Sequence, residues 1–332
     1  METHLHFDRI RPVLRRLERL VPRLALVVTP IALFLVVRSQ RDALDVLGGV
    51  RWQSVAASAA AFAVAPLLQG LSFWLVLRFL TGTSPFPETM LVWSRSYVLR
   101  YAPTGALAIA YRLSVRRRLH ASADQVLAAY AYEHVGALTA AAVACLVLFA
   151  VAGGLPPFLP LGIAAVTLVL TAGLRPGLAG RAVEALARRF GLHLSVILEG
   201  WQLAAVVALN ALGWVATGAA VYVLVTAVTG DAPGFIWLVG SYTAGYLVGF
   251  VAPLAPGGLG AREATLVVLL GPRYGTAAAL GVSLVIRVAN VAGELAGVAA
   301  VHALYAGRAL RERLRQAAGG VSGGGSPTSA QA

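Results

Sequence analysis

Six stretches of this 332-residue chain are apolar for long enough to cross a hydrocarbon layer of about 30 Å, and no other feature narrows its folding options as far. They lie near 21–37, 54–80, 122–151, 158–174, 201–228 and 276–305. In lipid every backbone N–H and C=O must find its partner within the protein, so each stretch has to be a helix. The chain therefore reads as an all-α integral membrane protein. With 58% hydrophobic and 12% charged residues, it carries more apolar surface than a soluble domain of this length buries.

Two further stretches, 88–119 and 236–271, are apolar but broken in the middle. Tyr101-Ala-Pro-Thr-Gly105 interrupts the first, and Pro253-Leu-Ala-Pro-Gly-Gly-Leu-Gly260 interrupts the second. Each half is short for a span, and proline with glycine ends a helix and permits a reversal. Both are read as re-entrant helical hairpins, giving about six transmembrane helices plus two hairpins.

Charge sets the expected topology. All 27 basic residues are arginine, and 18 of them fall in four blocks, at 9–23, 112–118, 175–189 and 308–315. With two hairpins and a cytoplasmic N-terminus, all four blocks lie inside, as basic loops should. A single crossing by either broken stretch would scatter them. Arg112 is taken as the start of the cytoplasmic face. The expected plan is a cytoplasmic basic N-terminus at 1–20 and a polytopic membrane domain at 21–305. Residues 306–332 form a basic helix and a cytoplasmic tail, so both termini are cytoplasmic in the cell membrane. Blocks confined to loops argue against nucleic acid as the partner of this basic chain; membrane lipids fit better.

This topology contains a symmetry. Units 54–151 and 201–305 are each span, hairpin, span, and their hairpins open to opposite sides, as in an inverted repeat. Tyr97–Gly105 (YVLRYAPTG) echoes Phe250–Gly258 (FVAPLAPGG). Paired broken segments at matching places point to a binding site near the bilayer midplane.

The second break carries the sharpest chemistry. Gly257, Gly258 and Gly260 bare the backbone, and a half-helix starting near Ala261 turns its positive end toward the midplane, where an anion is favoured. Arg262 in its first turn suits bidentate contact with phosphate, and Glu263 suits the dipole. In the first break Arg100, Pro103 and Gly105 are the matching candidates, with Arg95 on the preceding half-helix. Glu133, with His134 beside it, lies deep in one span; Arg287, Asn290 and Glu294 share a face of another. Glu133, Arg262, Arg287 and Glu294 are expected to meet near the midplane, because lone charges there are costly. Trp52, Trp93, Trp201 and Trp237 read as interfacial anchors. The lone Cys145, and the lack of a metal constellation, nucleotide loop or nucleophile–base pair, predict no cofactor, no metal and no enzymatic activity.

Pro256-Gly-Gly-Leu-Gly-Ala-Arg-Glu263, Pro103-Thr-Gly105, Tyr132-Glu133-His134 and Arg287 together resemble the flippase-like transmembrane domain of lysylphosphatidylglycerol synthases, over roughly residues 50 to 305. The resemblance implies translocation of an anionic or aminoacylated phospholipid, a glycolipid or a polyprenyl-phosphate lipid, without the soluble aminoacyl-transferase domain. Two alternatives differ in class: a non-transporting subunit that docks a separate lipid-modifying enzyme, and a small-anion or proton-coupled carrier.

Overall fold

The computed structural model of the chain describes residues 51–99, 106–152, 181, 198–231, 234–251 and 260–321. All regular structure among them is helical: α1 Trp52–Thr81, α2 Phe86–Val98, α3 Ala106–Ser114, α4 Ala123–Ala152, α5 Gly200–Thr229, α6 Phe235–Val251, α7 Ala261–Tyr274 and α8 Thr276–Val321, with a 3₁₀ turn at Arg116–Leu119. Four are long and apolar enough to cross a membrane: α1, α4 over Ala123–Val147, α5, and α8 over Thr276–Tyr305. They coincide with four of the six expected spans. The stretches 21–37 and 158–174 lie outside the described residues. Both broken stretches are pairs of short helices, α2 with α3 and α6 with α7, and the members of each pair pack together.

Local sequence fixes the ends. Thr81-Gly82 closes α1 and Thr229-Gly230 closes α5, each glycine in the left-handed region at φ +74° and +72°. The Thr81 and Thr229 hydroxyls each donate to a carbonyl one turn back, Leu77 O and Val225 O, both at 2.8 Å. Ser122 with Gln125, and Glu199 with Gln202, cap the starts of α4 and α5.

The helices form two quartets, α1–α4 and α5–α8, each with a core mostly its own. Phe73, Leu77, Trp93 and Tyr132 centre the first, while Leu224, Leu238, Tyr242 and Ile286 centre the second. Between them α1 lies along α5. Ser58 Oγ donates to Ala220 O at 2.8 Å, Gly213 rests on Ala65, and Asn210 Nδ2 donates to Ser72 Oγ at 3.1 Å. Positions rise along α1 as they fall along α5, so the two helices are antiparallel.

Exchanging α1 for α5, α2 for α6, α3 for α7 and α4 for α8 turns every extensive helix pairing into another one. Thus α1·α8 becomes α5·α4, α4·α6 becomes α8·α2, and α7·α8 becomes α3·α4. The correspondence reaches single residues. A Cβ at Gly70 would strike Met90 and Trp93 on α2, and a Cβ at Gly218 would strike Val239 on α6. A Cβ at Gly136 would strike Val206 and Asn210 on α5, and one at Gly293 would strike Ala59 and Phe62 on α1. In this register Met90 corresponds to Val239, Trp93 to Tyr242 and Tyr97 to Tyr246. The echo read from sequence, Tyr97 against Phe250, is therefore displaced by one helical turn. The echo aligns the proline–glycine turns, whereas the helix packing that sets the register lies before them.

Candidate functional site

In the first quartet the helices bring together two charges and an indole far apart in sequence. Arg112 on α3 donates from Nη1 to Glu133 Oε2 on α4 at 2.5 Å, and Trp93 Nε1 on α2 donates to Glu133 Oε1 at 2.9 Å. Both carboxylate oxygens are thereby engaged. Arg112 Nε also donates to Ser96 Oγ at 2.7 Å, and its guanidinium lies 4.1 Å from the Phe73 ring centre and 5.1 Å from that of Tyr130. Exposure is 2% for Arg112, 1% for Glu133 and zero for Trp93. A charge pair this deep is tolerable only because geometry and added hydrogen bonds compensate desolvation.

Burial bears on two sequence expectations here. Arg112, taken as the start of the cytoplasmic face, is buried and paired with Glu133, because α3 continues past it to Ser114 and turns it onto α4. Trp93 is not an interfacial anchor, since its ring fills the space left by Gly70 and its N–H serves Glu133. Trp52 and Trp201 are exposed as anchors should be, and Trp237 is half-buried. Arg95 is exposed on α2, and His134 Nδ1 makes a 2.8 Å hydrogen bond with Tyr130 O on its own helix.

The second quartet repeats the arrangement with different chemistry. Tyr242 on α6, the counterpart of Trp93, donates its hydroxyl to Asn290 Oδ1 on α8 at 2.7 Å. Asn290 is the counterpart of Glu133: it precedes Gly293 by three residues, as Glu133 precedes Gly136. Its amide donates to Glu294 Oε1, one turn on, at 3.0 Å. The Arg262 guanidinium on α7 lies 4.1 Å from the Tyr242 ring centre, and its stem packs on Gly245, as Arg112 packs on Ser96. Glu263 takes the Gly260 amide at 2.7 Å and approaches Arg287 Nε at 3.9 Å. The start of α7 is thus partly satisfied by its own carboxylate, and Arg262 beside it is buried in the interior.

A cavity of about 70 Å³ lies where the quartets meet. By a measure on which one water needs roughly 10–15 Å³, it holds several waters or a small polar group. Tyr97, Trp214, Tyr242 and Tyr246 supply aromatic walls, Gln69 and Asn210 amides, and Arg262, Asn290 and Glu294 the second-quartet polar end. Pro66 also lines it; lacking an N–H, it leaves the Phe62 carbonyl without its helical donor. A guanidinium suits phosphate and a carboxylate among aromatic faces suits an ammonium, so both charge types are accommodated.

Of the candidates read from sequence, Arg262, Asn290 and Glu294 meet at this cavity, and Glu263 pairs with Arg287 beside it. Glu133 joins Arg112 and Trp93, so the single charge cluster expected from sequence is two clusters, one per quartet. Gly260 caps α7. Gly257, Gly258, Arg100, Pro103 and Gly105 lie outside the described residues. Sequence reasoning missed Trp93, Arg112 and the cavity tyrosines. By contrast, the exposed Asp231–Arg273 pair at 2.8 Å is an ordinary surface contact, its hydrogen bond raising the guanidinium above its usual range. No family model matches the chain, and no curated protein matches it.

Proposed function

We propose that the chain translocates a phospholipid or related amphiphile with a phosphate-bearing headgroup, aminoacylated phospholipid foremost, between the leaflets of the cell membrane. One observation carries the reading: a polar cavity between two helix quartets sets Arg262 and Glu294 among aromatic rings. Its size suits a small polar part of a headgroup, such as the phosphate, with the acyl chains remaining in the bilayer. Around it we place six spans and two re-entrant hairpins, with both termini cytoplasmic. The antiparallel α1 and α5 support an inverted repeat, since helices running oppositely cross a bilayer in opposite senses. The resemblance to the flippase-like domain of lysylphosphatidylglycerol synthases favours the same substrate class.

In this reading Arg262 holds the phosphate and Glu294 with the rings holds a headgroup ammonium. In sequence, Gly257 and Gly258 lie just before the helix that carries Arg262. The test is transfer of fluorescent phosphatidylglycerol, and of its lysylated form, between leaflets of proteoliposomes, normalised to folded protein. Arg262→Lys keeps charge but loses the planar fork, so transfer should fall at least about tenfold. Arg262→Glu should fall below Arg262→Ala, because it repels phosphate. If Arg262→Ala and Arg262→Glu both move lipid at the parent rate, the headgroup does not bind here.

A further inference from the structure

The cavity wall is built largely from corresponding residues of the two quartets. Phe62 faces Asn210, Ala65 faces Gly213 and Tyr97 faces Tyr246, each pair equivalent under the exchange of α1 and α2 for α5 and α6. Three lining residues have no counterpart in the wall: Tyr242, Arg262 and Asn290. Their equivalents are Trp93, Arg112 and Glu133, packed shut in the first quartet. One half of a two-fold arrangement is open to the cavity, and the other half is closed.

We infer that Trp93, Arg112 and Glu133 form a second half-site of the same cavity, and that it opens as the Tyr242–Arg262–Asn290 half closes. The inference rests on the reading of the chain as a lipid carrier and adds where the headgroup binds from the opposite leaflet: its phosphate meets Arg112. Antiparallel α1 and α5 place the axis relating the quartets across the helices, so the two halves face opposite sides of a bilayer. A closed first half and an open second half, exchanged by that axis, are two states of one construction.

The sequence difference between the halves explains which state is seen. In the first, the guanidinium rests directly on a carboxylate, and Ala137 occupies the next turn. In the second, an amide, Asn290, takes the carboxylate's place and the acid stands one turn on, at Glu294. A carboxylate at the Glu133 position closes the first half on Arg112, while in the second an amide holds that position and Asn290 and Glu294 both line the cavity.

Asn290→Glu with Glu294→Ala copies the Glu133–Ala137 pattern into the second quartet without changing net charge. The probe is a water-soluble carbodiimide with an amine nucleophile, applied to proteoliposomes, with labelling at Glu133 read by peptide mass spectrometry. The parent should label Glu133 slowly, and the double variant about tenfold faster, as the populations shift toward the opened first half. Asn290→Asp with Glu294→Ala, closer in volume, carries the same expectation if the first variant does not fold. Folded variants that label Glu133 no faster than the parent would overturn the exchange. Lipid transfer on the same vesicles separates the two ideas. Faster labelling in the double variant, with no lipid movement by the parent, supports the exchange and removes the lipid reading. Transfer that depends on Arg262 while Glu133 labelling never rises overturns the exchange and leaves the cavity reading standing.

Discussion

Replacing Glu133 by glutamine removes one charge and little else. With its oxygen still accepting from Trp93 Nε1, now 2.9 Å away, the glutamine turns an amide N–H₂ toward Arg112 where a carboxylate stood. Arg112 is then left 2% exposed without its counter-ion. Breaking a buried pair by removing one partner destabilises by about 3–5 kcal/mol, and the second hydrogen bond that Arg112 makes, to Ser96, does not replace the charge. That loss should lower the thermal midpoint in detergent on the order of 10 °C. The exposed Asp231–Arg273 pair is the internal control, because solvent screening leaves such pairs little to contribute; Asp231→Asn should leave the midpoint almost unmoved. Arg112→Met with Glu133→Met, which removes both charges, should recover most of the loss. The measurement is the fraction of monodisperse protein surviving a heating series. A Glu133→Gln midpoint no lower than that of Asp231→Asn would refute the reasoning, as would a double variant no better than the single one.

Gly293→Val should destabilise by about 1–3 kcal/mol, since a Cβ there would meet the Ala59 carbonyl and Phe62, whereas Gly271→Ala, with open space around it, should not; paired thermal midpoints decide this. Single cysteines at Arg116 and Ala185, in a Cys145→Ser background, should react with an impermeant thiol reagent from the same face of the membrane, and labelling from opposite faces would exclude the two-hairpin topology.

Four membrane-length helices and both broken stretches were legible because their signals are local. Long apolar runs reveal α1, α4, α5 and α8, and glycine with proline marks the breaks. Partners were not legible, because they are far apart in sequence. Glu133 is held by residues 21 and 40 positions away, and no periodicity records which helix face meets which. Arg112 sits four residues before Arg116-Arg-Arg118, so by proximity it looked like a loop residue. A signal for the register was present in Thr81-Gly82-Thr-Ser-Pro85 and Thr229-Gly230-Asp-Ala-Pro233, which close equivalent helices. The proline–glycine turns are more conspicuous, but aligning them displaces the register by one turn.

The placement of charge also bears on how such a molecule can move. The ion pairs of Arg112 with Glu133, Arg287 with Glu263, and Arg273 with Asp231 each join elements of one quartet. The seam between quartets is built differently. Gly293 and Gly297 sit on the α1 backbone, Gly213 sits on Ala65, and Gly136 sits on Val206. Neutral hydrogen bonds cross it, from Ser58 to Ala220, from Asn210 to Ser72, and from Trp214 Nε1 to Ala137 O at 3.1 Å. Separating a buried ion pair in lipid costs several kcal/mol, whereas shifting a neutral hydrogen bond costs about one. In lipid, moreover, close contact of small residues contributes by packing alone, with no hydrophobic penalty when it slides. The buried Arg112–Glu133 pair would therefore travel within its quartet if the quartets moved, and these neutral contacts lie along the seam between them.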